Sequence, residues 1–261
     1  MGQRLTGAGS GWRWAAARAA GTSHARGGTP CQDALAAREV EGPAGPVLVA
    51  AVSDGAGSAA LSRQGSRIVA RTVVAEAARH FEAEAAMPDA EAVLGWLDAA
   101  RDAIAAEAGR RGASPRDFAA TMVAAFATPH ATLVAHVGDG GCVLDGMEGG
   151  WDVASWPAGG EYAGTTFFVT DAPAPRLELR LIERPAAALA LFTDGIEHMV
   201  LHDATRTAHA PFFDPMFAPV RASAAEGRDR DLSRALRAYL RSAAVEAKTD
   251  DDKTLLLAVR A

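Results

Sequence analysis

Hydrophobic positions in this chain fall into runs more often than into strict alternation. Six consecutive small or β-branched apolar residues, Val47–Val52, predict a buried strand that stops abruptly at Ser53, Asp54 and Gly55. Ala188–Phe192 repeats the arrangement and ends in Thr193, Asp194 and Gly195. Strand-length runs also occupy Trp12–Ala19, Phe118–Ala127, Ala131–Val137, Cys142–Leu144, Tyr162–Val169, Leu177–Glu183 and Thr254–Val259. Turn formers such as TPH and GDGG separate them, which suits antiparallel pairs. Trp12 and Trp14 share one face of the first run.

Three stretches carry a helical period instead. Ser62–Phe81 repeats through Ile68, Val69, Val73, Ala77 and Phe81, and Asp89–Glu107 through Val93, Leu94, Leu97 and Ile104. Asp231–Lys248 repeats through Leu232, Ala235, Leu236, Tyr239, Leu240 and Ala243. HAPFFDPMFAPV, within Ile196–Arg230, predicts a short helix packed over a sheet, and Glu41–Pro46 a hairpin-like loop into the strand at Val47. No linker rich in Pro, Gly and Ser divides the chain. The order of elements predicts one α+β domain over residues 1–261, two antiparallel sheets packed together with helices outside, and Met1–Gly11 as a loose leader. A parallel nucleotide-binding sheet would need a regular strand and helix alternation that Phe118–Phe192 lacks.

Composition narrows the chemistry. At 261 residues the chain can bury one large core or two modest ones. With 26 basic against 32 acidic residues and a net charge of −6, neither nucleic acid nor an anionic membrane is favoured as main partner. Cys31 and Cys142 are too few for a disulfide framework or a four-thiolate zinc site. Cys31 beside Asp33 reads either as a nucleophile or, more commonly for a free cysteine, as a small buried hydrophobe. The chain has no GxSxG elbow and no HExxH spacing, which argues against a serine hydrolase and a zinc peptidase. The N-terminus lacks an apolar signal core and no apolar run reaches membrane-span length, so a soluble cytoplasmic protein is expected.

The aspartates change the picture most. Asp33, Asp54, Asp139, Asp194, Asp251 and Asp252 all stand in turn-rich contexts at the ends of apolar runs. Charges so close to core strands are costly unless solvated, paired or metal-bound. Oxygen-rich sites of several aspartates suit magnesium or manganese, and a pair of such ions can hold a bridging water and orient a phosphate for in-line attack. An ordinary Asp-Gly turn explains any one of these residues, but not the set.

Six segments in order, SHARGGTPCQD, SDGAG, AATMVAAF, AHVGDG, LFTDG and TDDKTLLLAV, resemble the motifs of the metal-dependent protein phosphatases called PP2C or PPM. They run from His24 to Val259, about nine-tenths of the chain. The resemblance implies a four-layer α-β-β-α sandwich whose carboxylates meet at one edge. It implies hydrolysis of phosphoserine and phosphothreonine in proteins by metal-activated water, with two Mn2+ or Mg2+ ions and a weaker third in bacterial members. Asp54 matches the aspartate that bridges two metals, and Gly55 the residue whose carbonyl reaches one. Asp194 and Asp251 match carboxylates of the first ion, and Asp33 the aspartate at the second, largely through water. Asp139 matches a carboxylate that holds the third metal with Asp194. Asp33, Asp54, Asp194 and Asp251 thus carry the catalysis, while Asp252, where asparagine is common, is expected behind the ligands. Thr121 and Thr254 match threonines near the core and site, or are ordinary β-branched strand residues. Implied partners are phosphorylated proteins and a serine/threonine kinase, and a monomer is expected.

The chain departs from the family pattern at three positions. Ala56 replaces a histidine that protonates the leaving group in many eukaryotic members, Gln32 replaces a glutamate, and Gly28 stands where an arginine captures phosphate. Arg26 and His24 are the candidates for phosphate binding. Each has a second reading, an exposed loop charge for Arg26 and a turn-stabilising hydrogen bond for His24. Two other functions stay open: a catalytically weak or inactive regulatory or binding module, and a small-molecule phosphomonoesterase. Gly141–Thr170, with Trp151, Trp156 and Tyr162, covers the region where relatives carry a flap that shapes substrate choice.

Overall fold

The structure is a computed structural model describing residues 11–146, 149–158 and 166–261. The expected leader therefore lies almost wholly outside the described residues, as do Tyr162 and the first half of the expected strand Tyr162–Val169. The described part of that stretch, residues 166–169, is not strand.

In chain order the elements are β1 Trp12–Ala19, α1 Thr22–Arg26, β2 Ala34–Gly42, β3 Gly45–Ser53, α2 Ser62–Ala83 and α3 Ala90–Arg111. They continue as β4 Met122–Ala127, β5 Thr132–Val137, β6 Gly141–Asp145, β7 Trp151–Ser155, β8 Glu178–Ile182 and β9 Ala188–Phe192. After α4 Glu197–Val200 come the short pair β10 Leu201–His202 and β11 Thr207–Ala208, then α5 Ala210–Ala222 and β12 Gly227–Arg228. The chain closes with α6 Arg230–Leu240, α7 Ala243–Glu246 and β13 Lys253–Arg260. One sheet has the order β2-β3-β4-β5-β8, and the other β12-β1-β13-β9-β6-β7. Every named pairing in them is antiparallel except β1 with the two-residue β12. With helices on both outer faces, this is the α+β sandwich expected.

The layering explains why the sequence shows runs. Along β3, Val47, Val49 and Ala51 join Val69, Val73, Ala77 and Phe81 of α2 in an outer core. Leu48, Ala50 and Val52 face the second sheet, among Trp12, Trp14, Leu191 and Leu256. A strand covered on both faces has no solvent side, so its polar positions vanish. The other outer core sets β1, β9 and β13 against Phe213 and Phe217 of α5 and Leu236 and Leu240 of α6. Each fully buried Val, Leu or Phe contributes about 1.5–3 kcal/mol. The two-sided strands therefore hold the frame from which the site projects.

Several local expectations need correction. The strand expected from Phe118 begins at Met122, because Ser114 caps a 3-10 turn over Pro115–Phe118 in a reciprocal arrangement with Asp117. Leu94, expected on the buried stripe of α3, is exposed, and Trp96 and Ala100 are buried in the same helix. The helix expected over Asp231–Lys248 breaks after Leu240 and resumes at Ala243. Val245 lies five residues past Leu240, about 140° around a continuous helix. The break lets Val245 turn back into the core.

Candidate metal centre

Strand ends converge on one edge of the sandwich. β3 delivers Asp54, the turn after β5 delivers Asp139, and a 3-10 turn after β9 delivers Asp194. Asp250–Asp252 enter β13, and Asp33 precedes β2. The backbone holds Asp54 firmly: its N–H donates to Thr121 Oγ1 at 3.0 Å and its carbonyl accepts from the Thr121 N–H at 2.8 Å. Thr121 thus acts from the neighbouring sheet position, as a support for Asp54.

Asp54, Asp139 and Asp194 each bring a carboxylate oxygen within 4.8 Å of the others. They line an open basin of ≈ 330 Å³ together with His24, Gly55, Thr166, Asp250 and Asp251. Burial pushes the Asp194 pKa up to about 8, helped by the charges of Asp139, Asp251 and Asp33. Asp54 is raised well above its ordinary value by desolvation first, then by Asp33 and Asp194. Desolvation also raises Asp139, opposed by a hydrogen bond from Thr166.

Asp33 lies behind this group and is fully buried. Its Oδ2 accepts from Thr193 Oγ1 at 2.8 Å and Thr254 Oγ1 at 2.6 Å. Oδ1 meets no hydrogen-bond donor. Desolvation raises its pKa to about 6. Asp139 Oδ1 is likewise buried without a partner. Buried carboxylate oxygens that repel one another and lack donors form a site completed by cations. With hard oxygen donors and no thiolate or imidazole in the triad, the residues fit a divalent metal of the magnesium or manganese kind.

Asp252 has different work. Its carboxylate accepts from the Gly21 N–H at 2.7 Å and from the Gln32 N–H, and it lies 3.0 Å from His24 Nδ1 without hydrogen-bond alignment. Buried Asp252 therefore ties the 21–32 loop to the last strand. Two glycines make this junction close enough: a Cβ on Gly195 would lie 1.8 Å from the Asp252 carbonyl oxygen, and one on Gly21 2.2 Å from that of Asp250. Asp251 is exposed at the mouth of the basin, where its charge still acts on Asp139 and Asp194.

Arg26 is exposed at the end of α1 and does not line the basin, whereas His24 does. Sequence reasoning missed three supporting residues. Thr193 and Thr166 donate to Asp33 and Asp139, and Arg18 Nη1 donates to the Asp33 carbonyl. Thr193 had a readable signal, a hydroxyl residue directly before the second strand-end aspartate, as Ser53 precedes the first. Burial pushes the Cys31 thiol pKa up, against the nucleophile reading.

Comparison with known proteins bears on this geometry. A family model described as protein phosphatase 2C matches residues 20–241. Serine/threonine-protein phosphatase 3 of Escherichia coli (strain K12) is 36% identical over 251 residues, 95% of this chain and 98% of that protein. The chain belongs to the protein phosphatase 2C family. Carboxylate triad and family membership together make it a metal-dependent serine/threonine phosphatase. The phosphatase shares its fold with serine/threonine phosphatase Stp1 from Staphylococcus aureus, at TM-score 0.61 and 15% identity over 100% of both chains. RsbX, solved in complex with magnesium, aligns at TM-score 0.54 and 15% identity over 94% of each chain. Among the described residues, no helix of the phosphatase is long and apolar enough to cross a membrane.

Proposed function

We propose that this phosphatase hydrolyses phosphoserine and phosphothreonine in proteins, with two Mn2+ or Mg2+ ions held by Asp33, Asp54, Gly55, Asp194 and Asp251, and Asp139 sharing a third with Asp194. The observation that carries the reading is the convergence of Asp54, Asp139 and Asp194 in a solvent-open basin. Bound divalent ions supply Lewis acidity that activates water and neutralises phosphoryl oxygens. The chain's own residues do the rest. Asp33, anchored by Thr193 and Thr254, places a buried negative charge behind Asp54. The Thr121 contacts fix where the Asp54 carboxylate can stand.

His24 supplies the leaving-group proton that Ala56 cannot. It lines the basin with Nδ1 toward Asp252, which leaves the opposite ring edge to face a substrate oxygen. An open basin admits a loop or terminus of a phosphorylated protein. On this reading the partners are phosphoproteins and the serine/threonine kinase that makes them, in the cytoplasm.

The test is phosphate release from a phosphothreonine peptide with added manganese or magnesium, comparing the intact protein with Asp54→Asn. Metal-dependent release that disappears in a variant with unchanged circular dichroism supports the assignment, and unchanged turnover overturns it. His24→Ala should slow the peptide about 100-fold, in the usual range for a lost general acid, and slow p-nitrophenyl phosphate far less because nitrophenolate leaves unprotonated. Equal losses on both substrates would remove His24 from that role.

A further inference from the structure

Away from the carboxylate basin lies a larger groove, of ≈ 1060 Å³, between α6 and the edges of β1 and β2. Ala16 and Ala17 of β1 and Leu35 of β2 line it. Five guanidiniums share the lining: Arg18, Arg228, Arg230, Arg234 and Arg237. Three of them fall on one stripe of α6, at positions i, i+4 and i+7, while Leu236 and Leu240 of the same helix are buried. Two others are tied in place. Arg228 Nη2 donates to the Ala16 carbonyl at 2.8 Å, and Arg18 Nη1 donates to that of Asp33.

Compensating charge is scarce. Asp231 pairs with Arg234. Asp229 caps α6, and its carboxylate accepts from Ser223 Oγ and from the N–H groups of Asp231 and Leu232. Arg18, Arg228, Arg230 and Arg237 form no ion pair among the described residues. Like charges gathered in a concavity repel one another, and the Arg230 and Arg237 side chains make no ion pair among the described residues that would offset this. In a chain of net charge −6, such a cluster is accounted for by an anionic occupant.

We propose that this groove is a docking site for a carboxylate-rich segment of the protein substrate, remote in sequence from the phosphorylated residue. The proposal rests on the phosphatase reading above. Planar guanidiniums fork onto carboxylates in pairs, and a groove of this size receives a few acidic side chains. The overall negative charge of the chain disfavours a long polyanion such as nucleic acid. Groove and basin approach each other at the start of β2: Arg18 holds the Asp33 carbonyl, and Leu35, two residues on, lines the groove. A segment docked there keeps the phosphorylated residue of the same substrate near the basin at high effective concentration. That lowers KM and leaves the chemical step alone.

The experiment compares two phosphothreonine peptides that carry, beyond a flexible Gly-Ser linker, either six glutamates or six glutamines. With the intact protein the glutamate peptide should show a KM about tenfold lower, the sum of several modest ion pairs, with the same kcat. Arg230→Glu combined with Arg237→Glu should raise its KM to that of the glutamine peptide, while manganese-dependent turnover of p-nitrophenyl phosphate is unchanged, which also reports an intact fold. Equal KM values for the two peptides in the intact protein overturn the proposal. So does a glutamate preference that survives the double substitution, or a single-stranded oligonucleotide of equal charge that binds the groove more tightly than the peptide. If neither protein hydrolyses p-nitrophenyl phosphate, the phosphatase reading fails by itself. Fluorescence anisotropy of a labelled six-glutamate peptide on the two proteins then still decides the groove, with unchanged affinity in the variant counting against it.

Discussion

Replacing Asp194 by asparagine should stabilise the metal-free protein while weakening its response to metal. Loss of solvation, with the charges of Asp139, Asp251 and Asp33, raises the Asp194 pKa from 3.8 to about 8. In the unfolded chain the same group titrates near its ordinary value of about 3.9. Between these values the folded chain holds more protons than the unfolded chain, so stability falls as pH rises. The contribution is fully present below the unfolded value and is lost as pH passes the folded one. Each pH unit inside that window costs about 1.4 kcal/mol, so the step from pH 5 to pH 7 removes about 3 kcal/mol. For a chain of this size that is roughly 5–10 °C in Tm.

A buried histidine works in the opposite direction. Desolvation lowers the His136 pKa from 6.5 to about 4, so in that interval the unfolded chain binds the extra proton and stability rises with pH. Because both proteins keep His136, its contribution cancels in the difference between them, which leaves Asp194 and the rise its charge imposes on Asp54. The assay is thermal unfolding of chelator-stripped wild type and Asp194→Asn from pH 5 to pH 8, followed by circular dichroism, with and without manganese. The Tm advantage of the variant should grow by roughly 5–10 °C between pH 5 and pH 7, and its gain on adding manganese should shrink. A Tm difference independent of pH would refute the argument that the fold stores repulsion at Asp194.

Three further substitutions test the supports of the site and the core. Gly195→Ala drives a methyl group into the Asp252 carbonyl, so it should cost about 1–3 kcal/mol in urea unfolding and weaken manganese binding measured by calorimetry. Thr254→Val leaves Asp33 Oδ2 with only Thr193 as donor, an expected loss of about 1–3 kcal/mol by the same unfolding measurement. Phe126→Ala empties a contact in which Trp96 meets the Phe126 ring edge-on at 5.4 Å, and should cost about 3–5 kcal/mol, with phosphatase activity retained below the lowered Tm.

The strands that the sequence hid are those without a hydrophobic signature. Ala34–Gly42 carries alanines and the charges of Arg38, Glu39 and Glu41, and is a strand because it pairs with β3 from Ala34–Ser53 to Gly42–Gly45. Trp151–Ser155 is likewise a strand by pairing with β6, inside a stretch read as a flap. The arginines of α6 look like a solvated helix face until β1 and β2 are placed beside them.

Within the site, the aspartates were legible one at a time, since each marks where an apolar run ends and a turn begins. Their satisfaction was not. Asp33 depends on hydroxyls 160 and 221 residues away, and no local pattern connects them. The sequence by itself determined which strands are covered on both faces and which turns carry carboxylates, because burial along a strand and turn chemistry are properties of neighbours in the chain. Only the tertiary structure decided that three carboxylates share one basin, that Asp252 holds a loop, and that burial and neighbouring carboxylates raise the Asp194 pKa. Desolvation and repulsion are summed over neighbours in space, and packing alone selects those neighbours.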